Sequence, residues 1–129
     1  MEKVLIIEDD KVIREELSIL LSNNNYEVSS TTCFLNIEEV IKNVNPDLVL
    51  LDITLPNTDG YEVINKIKKV TTKPVIFVTS RNTLEDEIKS LSSGGYDFIT
   101  KPYNKDLLLL KIRKCLDEVN PKNHKELVV

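Results

Sequence analysis

Three short apolar runs of this chain, and one shorter mixed segment, each pass directly into residues that can do chemistry. Val4-Leu5-Ile6-Ile7 leads into Glu8-Asp9-Asp10, and Leu48-Val49-Leu50-Leu51 into Asp52. Val75-Ile76-Phe77-Val78 leads into Thr79-Ser80, and Asp97-Phe98-Ile99-Thr100 into Lys101-Pro102. Unbroken apolar runs of this length mark strands covered on both faces. In an open parallel sheet the carboxyl ends of the strands share one edge, and ligands bind in the crevice there. The chain therefore predicts one shallow site where three or four carboxylates, a hydroxyl and an ammonium converge. Converging carboxylates repel one another, and a divalent cation relieves that cost. An all-oxygen set without histidine or thiolate favours Mg²⁺, which readily shares its ligands with a phosphate. Two carboxylates hold such an ion and a third can act as nucleophile. Asp52, on the strand between the acidic cluster and the Thr79 strand, is the best placed for that role. Thr79 can donate to a phosphoryl oxygen, and Lys101 can neutralise charge as it develops. Singly, each group has a plain structural role: a helix cap at Asp10, an ion pair from Lys101, a buried hydroxyl at Thr79. As a set they describe the formation of an aspartyl phosphate.

The elements that position these groups alternate in type. Between the apolar runs lie segments with helical spacing: Ile13, Leu17, Leu20, Leu21; Ile37, Val40, Ile41, Val44; Val63, Ile64, Ile67; Leu84, Ile88, Leu91; and Leu108, Ile112, Cys115, Val119. Asn36…Glu39, Asp59…Glu62 and Asn82…Glu85 each pair a capping oxygen with a glutamate three residues on, the mark of a helix start. Gly94-Gly95 is a stop for the fourth helix. Tyr26-Glu27-Val28 alternates and reads as a less buried strand, as does the short run at residues 97–100. Five strands alternating with five helices imply right-handed crossovers and helices on both faces of the sheet. The prediction is an α/β, flavodoxin-like, doubly wound five-stranded parallel sheet of order 2-1-3-4-5, with the two weaker strands at the edges.

Composition agrees with one domain and narrows what it can do. The chain has 129 residues, a net charge of −4 and 41% hydrophobic residues, enough for a single core. A negative balance argues against direct contact with a nucleic-acid backbone by this segment. No apolar run approaches the ~20 residues of a membrane span, and Met1-Glu2-Lys3-Val4 opens straight into a strand, not a signal peptide. Cys33 and Cys115 form no CxxC pair and only His124 could join them, so zinc sites and disulfide frameworks are excluded. Two isolated thiols suit a reducing cytoplasm. Residues 1–119 make the domain; Asn120-Pro121-Lys122-Asn123-His124 breaks the last helix and opens a linker over residues 120–129. Leu127-Val128-Val129 turns apolar again, as at the start of a continuing chain.

Over residues 3 to 119 the chain resembles the receiver domains of bacterial two-component response regulators. The likeness rests on Ile6-Ile7-Glu8-Asp9-Asp10, on the run from Leu51-Asp52-Ile53-Thr54-Leu55-Pro56 to Asp59-Gly60, on Val78-Thr79-Ser80 and on Ile99-Thr100-Lys101-Pro102. It implies Asp52 as phosphoacceptor and a sensor histidine kinase as donor. Mg²⁺ would be held by Asp9, Asp52 and the backbone carbonyl of Thr54, with Glu8 acting partly through water. Lys101 would precede a cis-proline at Pro102. Thr79 and Phe98 would form the switch: drawing the Thr79 hydroxyl to the phosphoryl group vacates space that an aromatic ring at Phe98 fills by turning inward. Phe98 lacks the hydroxyl of the tyrosine common there, so it packs without a hydrogen bond.

The likeness is nearest to the OmpR/PhoB-type branch, in which the fourth helix, fifth strand and fifth helix form a symmetric dimer surface after phosphorylation. Leu107 and Leu110 fall off the buried stripe of the last helix and suit such a contact. Asp97 and Lys111 keep the charges usual at that surface. Glu87, Tyr96, Leu107 and Glu118 depart from them, so the ion pairing of that branch is not retained intact. The branch also implies a winged-helix DNA-binding domain beyond Val129, through which alone DNA would be bound. A stand-alone regulator lacking that domain is the alternative reading. Two further classes rank below these. A Mg²⁺-dependent phosphohydrolase of the haloacid-dehalogenase kind would need an acid where Thr54 stands. A flavodoxin-like electron carrier would need a phosphate cradle where Glu8-Asp9-Asp10 would repel one.

Overall fold

In the computed structural model, which describes residues 1–119 of the chain, the predicted alternation is present. The elements are β1 (Lys3–Ile7), α1 (Lys11–Ser22), β2 (Glu27–Thr31), α2 (Ile37–Val44), β3 (Leu48–Leu51), β4 (Thr54–Leu55) and β5 (Thr58–Asp59). They continue with α3 (Gly60–Lys68), β6 (Val75–Thr79), α4 (Leu84–Ser92), β7 (Asp97–Thr100) and α5 (Lys105–Val119). The main sheet is all parallel, β2-β1-β3-β6-β7. This is the expected 2-1-3-4-5 order. It also carries the less apolar strands at its edges. The sequence pattern missed a two-stranded antiparallel ribbon, β4–β5, beyond the main sheet. Two-residue strands are too short to show a period. Asn57 turns the ribbon with φ 61°, a conformation asparagine tolerates. The linker expected over residues 120–129 lies outside the described residues.

Because side chains alternate along a strand, the sheet divides its core in two. Leu5, Ile7, Val49, Leu51 and Phe77 pack with Ile37, Ile41, Ile64 and Ile67 of α2 and α3. Val4, Ile6, Leu48, Leu50, Ile76 and Val78 pack with Leu17 and Leu21 of α1 and Leu108, Ile112 and Cys115 of α5. Burial pushes the Cys115 thiol up to about 12, so it behaves as a small hydrophobe, whereas Cys33 is exposed.

The helices hold five corrections. The apolar stripe of α4 does not face the core: Leu84, Ile88 and Leu91 are 71%, 58% and 42% exposed, and the residue α4 buries is Ser90. On α5, Leu116 widens the buried face, and Val119, the last residue of the helix, is exposed although it falls on the stripe. The start of α4 is capped by Thr83, whose hydroxyl accepts from the Asp86 amide at 3.1 Å, one residue later than expected. Asn36 makes no side-chain cap. The Asp59 cap does form, accepting from the Glu62 amide at 2.9 Å, but the Glu62 carboxylate takes the Thr58 hydroxyl at 2.7 Å instead of reaching back.

Candidate phosphoacceptor and metal site

Strand register brings Glu8 and Asp52 together. Ile7 of β1 pairs with Leu51 of β3, so Glu8 and Asp52 leave adjacent strands at the same level, and the Asp52 amide donates to the Ile7 carbonyl at 3.1 Å. Carboxylate oxygens of Glu8, Asp9 and Asp52 lie within 4.8 Å of one another. Asp10 does not join them. Its Oδ1 caps α1, accepting from the amides of Val12 at 2.9 Å and Ile13 at 3.2 Å. The cluster therefore has three carboxylates, and the structural role foreseen for Asp10 is the one it takes.

Lys101 crosses from the far edge of the sheet to this cluster. Its amide donates to the Thr79 carbonyl at 2.8 Å, and the Lys101–Pro102 peptide is cis, as expected. The ammonium donates to Asp52 Oδ2 at 3.0 Å and to Glu8 Oε1. Burial raises the Glu8 pKa; the Lys101 bond opposes that rise and Asp52 adds to it. For Lys101, burial works to lower the pKa, but the bonds to Glu8 and Asp52 outweigh it and the group is held protonated. Glu8 and Asp52 are both buried, whereas Asp9 is exposed.

An open cleft of about 560 Å³ lies over the cluster. Glu8, Asp9, Asp52, Thr54, Ser80 and Lys101 line its polar part; Ile13, Pro102 and Tyr103 extend it towards α1 and α5. Thr54 donates its amide to Asp52 Oδ1 at 3.3 Å, which orients the carboxylate. Thr79 is fully buried at the end of β6, and its hydroxyl oxygen accepts from the Arg81 amide at 3.2 Å; Ser80 lines the cleft in its place. Phe98 is packed inward among the α2–α3 side of the core. Glu8, Asp9, Asp52, Thr54 and Lys101 are thus brought together, with Thr79 one strand away on β6 and Phe98 on β7 opposite Phe77, two residues short of Thr79's partner Thr100. Glu16, Tyr103 and Lys105 of the cleft wall were missed, since α1 and α5 reach that edge only through packing.

The donor set suits a hard divalent cation: three carboxylates, two of them already holding an ammonium, and no nitrogen or sulfur ligand. A five-stranded parallel sheet with this cluster at its switch point defines a receiver domain, the phosphoacceptor module of two-component signalling. The chain belongs to the response regulator receiver domain family, which it matches over residues 4–113. It is 36% identical over 113 residues to the transcriptional regulatory protein YxdJ of Bacillus subtilis (strain 168), covering 88% of this chain and 49% of that protein. It is 36% identical over 120 residues to the sensory transduction protein BceR of Halalkalibacterium halodurans, covering 93% of this chain and 52% of that protein. A two-component response regulator from Clostridium difficile superposes with a TM-score of 0.88 at 30% identity, covering 93% of this chain and 99% of that one. The relatives are of the OmpR/PhoB type, and the chain spans about half the length of the curated relatives it matches. The family is a signalling family, not a known enzyme family. Among the described residues no helix is long and apolar enough to cross a membrane.

Proposed function

We propose that Asp52 accepts a phosphoryl group from the phosphohistidine of a sensor kinase and that the product shifts the surface formed by α4, β7 and α5. One observation carries the reading: the Glu8, Asp9 and Asp52 oxygens meet within 4.8 Å while Lys101 holds Asp52 at 3.0 Å. An Asp52 carboxylate oxygen attacks phosphorus as the phosphorus–nitrogen bond to the donor imidazole breaks, leaving an acyl phosphate on Asp52. Mg²⁺, held by Asp9, Asp52 and the Thr54 carbonyl with Glu8 nearby, would supply charge neutralisation on the phosphoryl oxygens. Lys101 is already within hydrogen-bond reach of the acceptor and would neutralise the same charge from the other side. Thr79 would turn its hydroxyl from the Arg81 amide to the new oxygens; Phe98 is already packed inward before that turn. Acetyl phosphate with Mg²⁺ is expected to add one phosphate by intact mass, and Asp52→Asn to add none. A label that survives Asp52→Asn, or forms equally with chelator present, rejects the assignment.

The output reading follows from exposed apolar surface. Leu84, Ile88 and Leu91 on α4, Tyr96 just before β7, and Leu107 and Leu110 on α5 stay outside the core. Lys111 and Asp97 pair within the chain at 3.4 Å, which occupies two charges otherwise free for a partner. Two phosphorylated copies would therefore meet there largely through leucine and isoleucine contacts, with Glu87 at the rim. Transcriptional output through a DNA-binding domain beyond residue 129, and action in the cytoplasm beside a sensor kinase, complete the proposal. It is supported by relatives about twice this length that are named as transcriptional regulators. A single-domain regulator is the alternative.

A further inference from the structure

Glu8 and Asp9 are consecutive, yet both carboxylates reach the same point beside Asp52. In an extended strand successive side chains leave opposite faces, and successive carbonyls point to opposite edges. The backbone at the end of β1 must therefore bend so that two side chains share one side. The same bend brings two carbonyls together elsewhere, and both are taken by one atom. Arg14 Nη1 donates to the Glu8 carbonyl at 2.8 Å and to the Asp9 carbonyl at 3.2 Å. Arg14 sits in the first turn of α1, where its side chain leans back over the preceding turn. A cation there opposes the helix dipole, which the capping carboxylate of Asp10 only partly offsets. Its placement costs local stability, so its worth lies in what the guanidinium holds.

We propose that Arg14 is a positioning residue for the cation site: by clamping the Glu8 and Asp9 carbonyls it fixes the bend that presents both carboxylates to one Mg²⁺. The inference rests on the reading of Glu8, Asp9 and Asp52 as that site. It makes a prediction opposite in sign to simple electrostatics. Removing a positive charge beside an acidic cluster should tighten cation binding; releasing the bend should loosen it. Loss of an outer partner that orients ligands costs on the order of 10–100-fold in metal affinity. Mg²⁺ should suffer more than Ca²⁺, because the smaller ion demands near-ideal octahedral geometry and the larger accepts irregular cages.

The test is calorimetric titration of the chain with MgCl₂ and, separately, CaCl₂ at fixed ionic strength, for wild type, Arg14→Met and Arg14→Gln. The expected result is Mg²⁺ binding weakened at least about 10-fold in Arg14→Met, a smaller loss for Ca²⁺, and partial recovery in Arg14→Gln, which keeps a donor without the charge. Thermal melts in chelator identify any variant that has lost its fold, and Arg14→Gln then carries the comparison. Equal or tighter Mg²⁺ binding by Arg14→Met or Arg14→Gln overturns the positioning role while leaving the site intact. Absence of saturable Mg²⁺ binding by the wild type overturns the site reading and this inference together.

Discussion

Replacing Lys101 with methionine isolates what holds three carboxylates together in the absence of a cation. The substitution keeps most of the apolar stem and removes the ammonium that bonds Glu8 and Asp52, both nearly enclosed. Breaking one partner out of a buried pair costs roughly 3–5 kcal/mol, because the remaining charge is left uncompensated. The open cleft admits water to the cluster, so about 3 kcal/mol is the reasonable figure here. For a domain of this size that corresponds to a drop of roughly 10 °C in Tm. Thermal melts in chelator should show it. The deficit should shrink when Mg²⁺ is added, since a divalent cation replaces the lost charge. It should shrink again when Glu8→Gln is combined with Lys101→Met, since the two changes share one interaction and are not additive. The pH dependence has a definite sign. Burial already raises the Glu8 pKa, and removing Lys101 takes away a bond that lowers it. The folded variant therefore binds a proton that the unfolded chain binds only at lower pH. Its stability relative to wild type rises as pH falls from neutrality through the raised Glu8 value, and levels off below the ordinary carboxylate range. Coincident melting of wild type and Lys101→Met in chelator would refute the reasoning. So would a deficit indifferent to Glu8→Gln.

Two further predictions address the scaffold and the output face. A methyl group at Gly60 would stand 2.6 Å from the Asp52 carbonyl oxygen and 2.8 Å from Ile53 Cα, both backbone. Gly60→Ala should cost about 1–3 kcal/mol by denaturant unfolding and slow phosphorylation of Asp52 by displacing its peptide; wild-type values for both would sink the account. Ile88→Lys combined with Leu107→Lys should abolish phosphorylation-dependent pairing in sedimentation while leaving the phosphate on Asp52, and an undiminished dimer would place the contact elsewhere.

Which residues gather at the candidate site was largely legible in the chain, because strand ends in a parallel sheet share an edge whatever the side chains are. Unbroken apolar runs identified β1, β3 and β6, and the residue after each was read directly as Glu8, Asp52 or Thr79. The order of the sheet followed from which strands were least apolar. Local signals were weaker. Asn36, Asn82 and Thr83 all carry capping side chains, and only the backbone angle at each start decides which is used.

Tertiary structure alone decided three matters. It placed the α4 stripe in solvent, because helical spacing states that apolar residues share a face and not which way that face turns. It separated Asp10 from its two acidic neighbours, since a carboxylate at a helix start either caps amides or joins a cluster, and the entry of the chain into α1 settles which. It brought Lys101 onto Glu8 and Asp52, residues ninety-three and forty-nine positions away, and bent β1's end so that Arg14 could hold two carbonyls. The sequence by itself fixes which groups are available at the sheet edge. Their distances depend on backbone bends and helix packing, which arise only when the whole core closes.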